Sequence, residues 1–123
     1  MNKLTVLVAD DDPRIRQVIS LNLKKRNWMV YEAENGRQVI EHLKHDIPDL
    51  VVLDLGMPVM NGYEVCAWIR QHGMDVPIMV LTAYSGVDLK IRALDAGAND
   101  YEVKPFKTDE FLARLSALVK RPM

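Results

Sequence analysis

Several residues that can handle a phosphoryl group stand directly after short apolar runs of the sequence. In chain order they are Asp10-Asp11-Asp12, Glu34, Asp54, Thr82 and Lys104. A carboxylate can attack phosphorus as a nucleophile and so form an aspartyl phosphate. A metal ion and a lysine neutralise the charge of the transferring group, and a hydroxyl donates to one of its oxygens. The pattern therefore predicts a phosphoryl-transfer site in which Asp54 is the acceptor and Thr82 and Lys104 hold phosphoryl oxygens.

The aspartates at positions 10, 11 and 54 also predict a metal site. If the strands that end at them are neighbours in a parallel sheet, their carboxylates lie close together. Carboxylates in such proximity repel, so one of them takes a proton unless a cation compensates. Mg²⁺ suits an open site that offers one or two carboxylates, waters and a phosphoryl group. We expect Asp11 to be the principal metal carboxylate, with Asp10 acting at a longer distance or through a water.

Each of these residues, taken alone, has a structural explanation. An aspartate before a proline, as in Asp12-Pro13, commonly caps a helix, and Thr82 can cap or turn the chain. Lys104 alone would be a solvated surface lysine. The functional interpretation is favoured because the acid pair, the further acid, the hydroxyl and the lysine each follow a different strand of one predicted sheet.

Five nearly continuous apolar runs alternate with segments of helical period. The predicted strands cover residues 4–9, 28–33, 50–54, 78–81 (ending at Thr82) and 100–103, and the last is polar enough to be an edge strand. The first predicted helix runs from Pro13 to residue 26, and the second ends before Pro48. The third begins after a cap at Asn61 and ends at Gly73. The fourth covers about residues 87–96 with Gly97 as its C-cap, and the last begins at residue 108 or 109. This alternation predicts an α/β fold, a flavodoxin-like doubly wound (βα)5 three-layer sandwich with a parallel five-stranded sheet in order 2-1-3-4-5.

All five predicted helices carry apolar residues on one face, the kind of face that a helix packs against a core. The faces comprise Ile15, Val18, Ile19 and Leu23 in the first helix, Val39, Ile40 and Leu43 in the second and weaker one, Val65, Cys66 and Ile69 in the third, Val87, Ile91 and Leu94 in the fourth, and Phe111, Leu112, Leu115, Leu118 and Val119 in the last. We expect the last of these sets to be buried.

The composition is that of an ordinary soluble domain, with 123 residues of which 49% are hydrophobic. Sixteen basic and seventeen acidic residues leave a net charge of -1, so no global field recruits nucleic acid or an anionic membrane. No apolar run reaches the roughly 20 residues of a membrane span. A single cysteine, Cys66, excludes an intrachain disulfide, and we expect a buried thiol and a cytoplasmic protein. The three histidines form no obvious cluster.

At these residues the chain resembles the receiver domains of two-component response regulators over nearly its whole length. The resemblance is carried by four segments in order, Val8-Ala-Asp-Asp-Asp-Pro13, Val52-Leu-Asp-Leu-Gly-Met-Pro58 with Asn61-Gly62, Leu81-Thr-Ala83, and Ala96-Gly-Ala-Asn-Asp-Tyr101 with Lys104-Pro-Phe106. It implies that Asp54 receives a phosphoryl group from the phosphohistidine of a sensor histidine kinase. It also implies that Asp10, Asp11, Asp54 and the backbone carbonyl of Gly56 hold Mg²⁺.

The same resemblance implies a cis peptide at Lys104-Pro105 and a switch in which Tyr101 swings inward when Thr82 moves toward the phosphate. The chain would be a single receiver domain over residues 1–123, either complete or the N-terminal part of a longer regulator with a DNA-binding output domain. Such a domain turns over no free substrate, and it would not itself bind nucleic acid or a membrane. We therefore predict a phosphorylation switch and not an enzyme.

The closing helices resemble the branch of the family that drives winged-helix transcription factors. Residues at positions where that branch forms intersubunit ion pairs are Lys90, Asp100, Glu110, Arg114 and Arg121. This predicts a phosphorylation-dependent homodimer through helix four, strand five and helix five. Solvated faces would look similar, and exposed ion pairs are individually weak.

Two departures from the family pattern and one hypothesis concern the site itself. Glu102 stands where the family usually has an apolar residue, so it either pairs with Lys104 or is tolerated at an edge strand. Asn61 replaces a frequent aspartate and keeps a good helix cap. Gly56 and Tyr84 would flank the phosphoryl group, and we hypothesise that Tyr84 hinders attacking water while Gly56 leaves its side open.

Two rival interpretations remain open at this point. An aspartate-nucleophile, Mg²⁺-dependent phosphatase of the haloacid-dehalogenase type would use similar groups, but it needs a second aspartate where Gly56 stands. A flavodoxin-like nucleotide binder would offer hydroxyls and backbone donors to phosphate in its first loop, where Asp10-Asp11-Asp12 would repel it.

Overall fold

The computed structural model describes residues 3–119, which form five strands and five helices in strict alternation. The strands are β1 (Thr5–Ala9), β2 (Met29–Ala33), β3 (Leu50–Asp54), β4 (Ile78–Thr82) and β5 (Asp100–Val103). The helices are α1 (Pro13–Lys25), α2 (Gly36–His45), α3 (Gly62–Gln71), α4 (Val87–Ala96) and α5 (Thr108–Val119). β1 and β2 each begin one residue later than the sequence predicts, which leaves Leu4 exposed and Trp28 as a buried residue before its strand.

All strand pairs are parallel, and their order is β2-β1-β3-β4-β5, which confirms the predicted topology. β3 lies at the centre of this sheet, and all five of its residues are buried. A strand covered on both faces needs a continuous apolar run, which is what Leu50–Leu53 supplies. Asp54, at the carboxyl end of this run, is therefore held by a rigid element.

Side chains that alternate along the strands form a core on each face of the sheet. One core joins the sheet to α2, α3 and α4, with Val39, Val65 and Ala93 among its members. The other joins the sheet to α1 and α5 through residues such as Ile19 and Phe111. This is the predicted three-layer arrangement.

Local signals place the helix ends where the sequence predicts them. The Asp12 side chain accepts a hydrogen bond from the Arg14 N–H before α1, and Asn61 forms a capping box with Glu64 before α3. Gly73 and Gly97 follow α3 and α4 at φ angles of 73° and 120°, a region that glycine enters without steric cost. The cis peptide at Lys104-Pro105 is also present.

The predicted apolar faces are covered less completely than their periodicity indicates. Val18 is 50% exposed, and the α4 residues Val87, Ile91 and Leu94 are 72%, 50% and 40% exposed. In α5, Leu118 and Val119 are only partly buried, whereas the other three predicted core residues are buried. Periodicity identifies a face, but whether another element covers that face depends on the tertiary arrangement.

Cys66 lies fully buried in the core on the α3 side of the sheet. Burial raises the pKa of its thiol to about 12, so it is an unreactive packing residue, as predicted.

Candidate functional site

The carboxyl edge of the sheet brings Asp10, Asp11 and Asp54 together. One oxygen of each carboxylate lies within 4.8 Å of the others. Asp10 and Asp54 are 1% and 7% exposed, whereas Asp11 is open to solvent. The predicted crowding of these three residues is therefore present, with two carboxylates in the floor of the site and one at its rim.

Strand register explains this convergence. Ala9 of β1 pairs with Leu53 of β3, so the residues that follow them, Asp10 and Asp54, emerge side by side. The loop after Asp54 turns back to α3, where Gly62 allows a close approach. A Cβ at Gly62 would lie 2.7 Å from the Asp54 carbonyl oxygen, so a side chain there would displace the loop.

Every polar group of the buried Asp10 that the structure describes has a partner. One carboxylate oxygen accepts from the Asp12 N–H at 2.9 Å, and the other accepts from the Lys104 ammonium at 2.7 Å. The Asp10 carbonyl accepts from the Arg16 guanidinium at 2.7 Å. Sequence reasoning missed Arg16, because its contact depends on how the first turn of α1 folds back over the end of β1.

Lys104 lies between the two buried carboxylates. Its ammonium is 2.7 Å from Asp10 and 3.6 Å from Asp54, and the side chain is 16% exposed. Within residues 3–119, no ion pair joins Lys104 to Glu102. The alternative that these two residues pair is therefore wrong, because the two buried aspartates compete for the ammonium more effectively than a half-exposed glutamate at the sheet edge.

The environment of Asp54 opposes its ionisation. Burial raises the pKa of Asp54 to about 6, and the Asp10 carboxylate acts in the same direction. Lys104 and the backbone N–H of Gly56, 3.4 Å from the carboxylate, lower the pKa by less than burial and Asp10 raise it. The cluster is therefore short of positive charge.

These residues fit a hard divalent cation. A buried pair of carboxylates, a third at the rim and an unfavourable balance of charge are what such an ion relieves, and oxygen donors are its preferred ligands. Gly56 stands exposed beside the cluster, and a Cβ there would lie 4.0 Å from an Asp54 oxygen, so the approach to the carboxylate from this side is open.

Thr82 and Tyr101 are linked through the backbone of Tyr84. The Thr82 hydroxyl, fully buried at the end of β4, accepts from the Tyr84 N–H at 3.2 Å. The Tyr101 hydroxyl donates to the Tyr84 carbonyl at 2.6 Å. Tyr101 is only 6% exposed, so it already lies inward while the Thr82 hydroxyl is bound to the Tyr84 N–H.

Three of the five charged residues predicted to pair between subunits find partners inside the chain. Arg114 lies 3.4 Å from Asp100 and 3.3 Å from Glu110. These pairs are half-exposed and can exchange partners at little cost. Lys90 has no ion pair within residues 3–119, and Arg121 lies outside the described residues.

No helix within residues 3–119 has both the length and the apolar character needed to cross a bilayer.

Comparison with known proteins identifies the family. Residues 6–116 match the model of the response regulator receiver domain. The chain is 44% identical over 116 residues to the response regulator MprA of Mycolicibacterium vanbaalenii, which covers 94% of this chain and 50% of that protein. The chain thus spans about half the length of the relatives it matches.

Solved structures agree with this assignment. The receiver domain of the Francisella response regulator 1452 is 31% identical, with a TM-score of 0.92 and coverage of 97% of this chain and 98% of that one. The receiver domain of the sensor histidine kinase PA1611 from Pseudomonas aeruginosa, which has a magnesium ion coordinated in its active site cleft, is 29% identical with a TM-score of 0.88, over 96% and 98% of the two chains. The chain therefore belongs to the family of response regulator receiver domains.

Proposed function

We propose that this receiver domain accepts a phosphoryl group on Asp54 in a Mg²⁺-dependent reaction, with the phosphohistidine of a sensor histidine kinase as donor. The observation that carries this proposal is the single cluster of Asp10, Asp11 and Asp54 with the Lys104 ammonium between the two buried carboxylates. A receiver domain needs a nucleophile, a metal site and a cation at one edge of the sheet, and the chain has these together.

The transfer is a displacement at phosphorus. One Asp54 carboxylate oxygen forms a bond to phosphorus while the bond between phosphorus and the donor's imidazole nitrogen breaks. The electron pair of the broken bond stays on that nitrogen, so a donor ring that carries a proton on its other nitrogen leaves as a neutral imidazole, and a mixed anhydride remains at Asp54. Lys104 sits 3.6 Å from Asp54 and is placed to neutralise a phosphoryl oxygen. The Thr82 hydroxyl would donate to another phosphoryl oxygen once it releases the Tyr84 N–H.

Asp10, Asp11 and Asp54, with the carbonyl of Gly56, would hold the Mg²⁺ ion. When bound, the ion offsets the repulsion among these carboxylates and the negative charge of the incoming phosphoryl group. The raised pKa of Asp54 supports this assignment, because it marks a carboxylate that lacks a compensating cation.

The phosphorylated state would be read at the surface formed by α4, β5 and α5. Movement of the Thr82 hydroxyl toward the phosphoryl group would break its bond to Tyr84, whose carbonyl also anchors Tyr101. The site can therefore communicate with β5 through one residue. We propose that this change controls a homodimer and a C-terminal DNA-binding output domain in the cytoplasm. The length of the matched MprA relatives, which are about twice as long as this chain, supports the further domain.

This role differs from that of an aspartate-nucleophile phosphatase. Such an enzyme needs a general acid two residues after its nucleophile, and Gly56 has no side chain to supply one. The domain would stabilise its own phosphorylated form as a signal and would not turn over a free substrate.

Incubation with acetyl phosphate tests the proposal. Intact mass spectrometry should detect the addition of one phosphoryl group in the presence of Mg²⁺ and little or none in EDTA. Asp54→Asn should abolish the addition, whereas Asp75→Asn, an exposed aspartate in the loop before β4, should leave it unchanged. Phosphorylation that survives Asp54→Asn would refute the assignment of the acceptor.

A further inference from the structure

Arg16 connects the acidic loop after β1 to the end of β2. Its Nη1 donates to the Asp10 carbonyl at 2.7 Å, and its Nε donates to the Glu32 carboxylate at 2.9 Å. Its Nη2 lies 3.9 Å from Glu34. The side chain is only 12% exposed although it begins in the first turn of α1, so the guanidinium is folded into the structure and is not a solvated surface charge.

The carbonyl that Arg16 holds belongs to the peptide unit between Asp10 and Asp11. A peptide unit is planar, so fixing the direction of its carbonyl also fixes the direction of the Asp11 N–H and the start of the Asp11 residue. Asp11 itself is exposed, and Arg14, in the same turn of α1, is bound to Asp12 instead. Two side chains therefore restrain the backbone that carries the rim carboxylate: Asp10, which accepts from the Asp12 N–H, and Arg16, which holds the Asp10 carbonyl.

Two glutamates balance the charge of Arg16. Nε binds the Glu32 carboxylate, and Nη2 lies 3.9 Å from Glu34. The fork of the guanidinium allows one group to bind a carbonyl with one nitrogen and a carboxylate with another.

We propose that Arg16 is a positioning residue for the metal site, holding the Asp10-Asp11 peptide so that the Asp11 carboxylate faces the cation together with Asp10 and Asp54. This inference rests on the proposed Mg²⁺-dependent function and adds a residue that acts through Asp11 without touching the metal or the phosphoryl group.

The direction in which Mg²⁺ affinity changes on removal of Arg16 distinguishes a positioning role from a purely electrostatic one. Arg16 is a cation near a cation site, so its charge alone weakens Mg²⁺ binding, and removing it should tighten binding. Positioning predicts the opposite, because residues that orient metal ligands typically contribute tenfold to a hundredfold to metal affinity. Arg16→Ala is therefore expected to weaken Mg²⁺ binding by about tenfold or more.

The experiment is isothermal titration of the whole chain with Mg²⁺, followed by phosphorylation with acetyl phosphate over a range of Mg²⁺ concentrations. In Arg16→Ala, the Mg²⁺ concentration for half-maximal rate should rise in parallel with the dissociation constant. The rate at saturating Mg²⁺ should change much less, since Asp54 and Lys104 remain in place. A fall confined to the saturating rate would overturn the proposal.

Two further variants control for charge and for folding. Arg14→Ala removes the same charge from the same end of α1 at a side chain that is 90% exposed, and it should leave Mg²⁺ affinity nearly unchanged. Arg16→Lys keeps the charge but has a single ammonium that cannot bind both partners, so it should weaken Mg²⁺ binding in the same direction as Arg16→Ala. Because lysine retains the aliphatic stem, this variant also serves if Arg16→Ala does not fold.

The outcomes distinguish this inference from the function on which it rests. Unchanged or tighter Mg²⁺ binding in both Arg16 variants would overturn the positioning role alone. Failure of the unaltered chain to bind Mg²⁺ would overturn the metal site and the positioning role together.

Discussion

The Asp54 side chain lies where burial and a neighbouring acid oppose its ionisation. It is 7% exposed, shares the floor of the site with Asp10, and lies 3.6 Å from the Lys104 ammonium, which binds Asp10 more closely. An ionised carboxylate in this setting destabilises the fold, and the same lack of positive charge favours binding of the cation that the proposed phosphoryl transfer needs. A substitution that removes the charge of Asp54 should therefore abolish phosphorylation and at the same time stabilise the fold.

Replacing Asp54 with asparagine should stabilise the metal-free fold at neutral pH. The pKa raised from 3.8 to about 6 corresponds to an ionised form that the fold disfavours by about 1–3 kcal/mol. Asparagine has nearly the same shape and carries no charge, so it should recover most of this free energy. Urea unfolding in EDTA at about pH 7.5 measures the gain, with Asp75→Asn as the control for a surface aspartate.

The pH dependence of that gain follows from the direction of the pKa shift. Because the folded pKa of Asp54 lies above the unfolded value, the proton-linked stability is fully present below about pH 3.8 and is lost as the pH rises through about 6. The difference between Asp54→Asn and the unaltered chain should therefore shrink when unfolding is repeated at about pH 5. An equal difference at both pH values would show that the gain has another cause.

The Tyr84 side chain should protect the phosphorylated form from water. Its ring is 62% exposed beside the site, while its backbone N–H and carbonyl bind Thr82 and Tyr101. Tyr84→Ala keeps both backbone contacts and removes only the ring, so the phosphoryl group should be lost severalfold faster. The decay of the phosphorylated mass after removal of the donor measures this rate.

Ser85→Ala is a matched control for Tyr84→Ala, because it alters the next exposed residue of the same loop. It should leave the decay unchanged. A Tyr84→Ala variant with an unaltered phosphoryl lifetime would contradict the proposed shielding.

At the scale of elements, α4 is the helix that the core anchors least. Ala93 is its one buried residue in the described structure, and three larger apolar residues of the same helix are exposed. Two contacts to Tyr63 of α3 supplement this anchor. The Arg92 guanidinium lies 4.1 Å from the centroid of the Tyr63 ring, and the Tyr63 hydroxyl donates to the Leu89 carbonyl at 3.5 Å. A helix held by so few contacts can move without disturbing the sheet.

Removing the Arg92 side chain should therefore loosen α4 selectively. A surface cation–π contact contributes about 0.5–1 kcal/mol, so Arg92→Ala should increase hydrogen exchange of α4 amides about twofold to fivefold while exchange in β3 stays unchanged. Exchange followed by peptide-level mass spectrometry measures both elements. Lys90→Ala, at an exposed position of the same helix, is the control, and an identical increase in that variant would exclude a specific role for the Arg92–Tyr63 contact.

The sequence predicts the elements well because their signals are local. The apolar run at Leu50–Leu53, the Asn61 cap and the glycines at 73 and 97 each act within a few residues, and the structure places strand and helix ends accordingly. Alternation of the elements then restricts the sheet to few topologies, and the order of the strands brings Asp10, Asp11 and Asp54 to one edge.

What the sequence does not predict depends on contacts between distant segments. The exposure of Val18 and of the α4 face depends on which neighbours reach them. The preference of Lys104 for Asp10 over Glu102 joins β5 to β1, and the reach of Arg16 to Glu32 joins α1 to β2. An arginine in the first turn of a helix beside a strand that ends in glutamates was a signal for the last contact, but it is too common to be specific.

At the scale of the whole molecule, the exposed apolar face of α4 adjoins the charged edge formed by β5 and α5. Val87, Ile91 and Leu94 are exposed there, and Arg114 is held by Asp100 and Glu110 in half-exposed pairs. Exposed ion pairs exchange partners readily, so the same residues can pair across a subunit interface at little cost. This face is the surface through which we expect two phosphorylated copies to associate.

The expected dimer is tested with a phosphoryl mimic. Beryllofluoride with Mg²⁺ should convert a monomer into a dimer in multi-angle light scattering, and Ile91→Asp should prevent this by placing a charge in the apolar part of the interface. Val18→Asp, on the exposed side of α1, should leave dimerisation intact. A chain that stays monomeric with beryllofluoride would refute the predicted interface.

The central claim is that Asp54 carries the phosphoryl group, and its most direct test is to locate that group on the chain. Borohydride reduces an acyl phosphate to an alcohol with release of phosphate, so it converts the phosphorylated aspartate into a residue that peptide mass spectrometry can identify. After treatment with acetyl phosphate and Mg²⁺, we predict that the reduced residue is at position 54, in the peptide that contains β3. Reduction at Asp10 or Asp11, or phosphate retained on a histidine, would contradict the account.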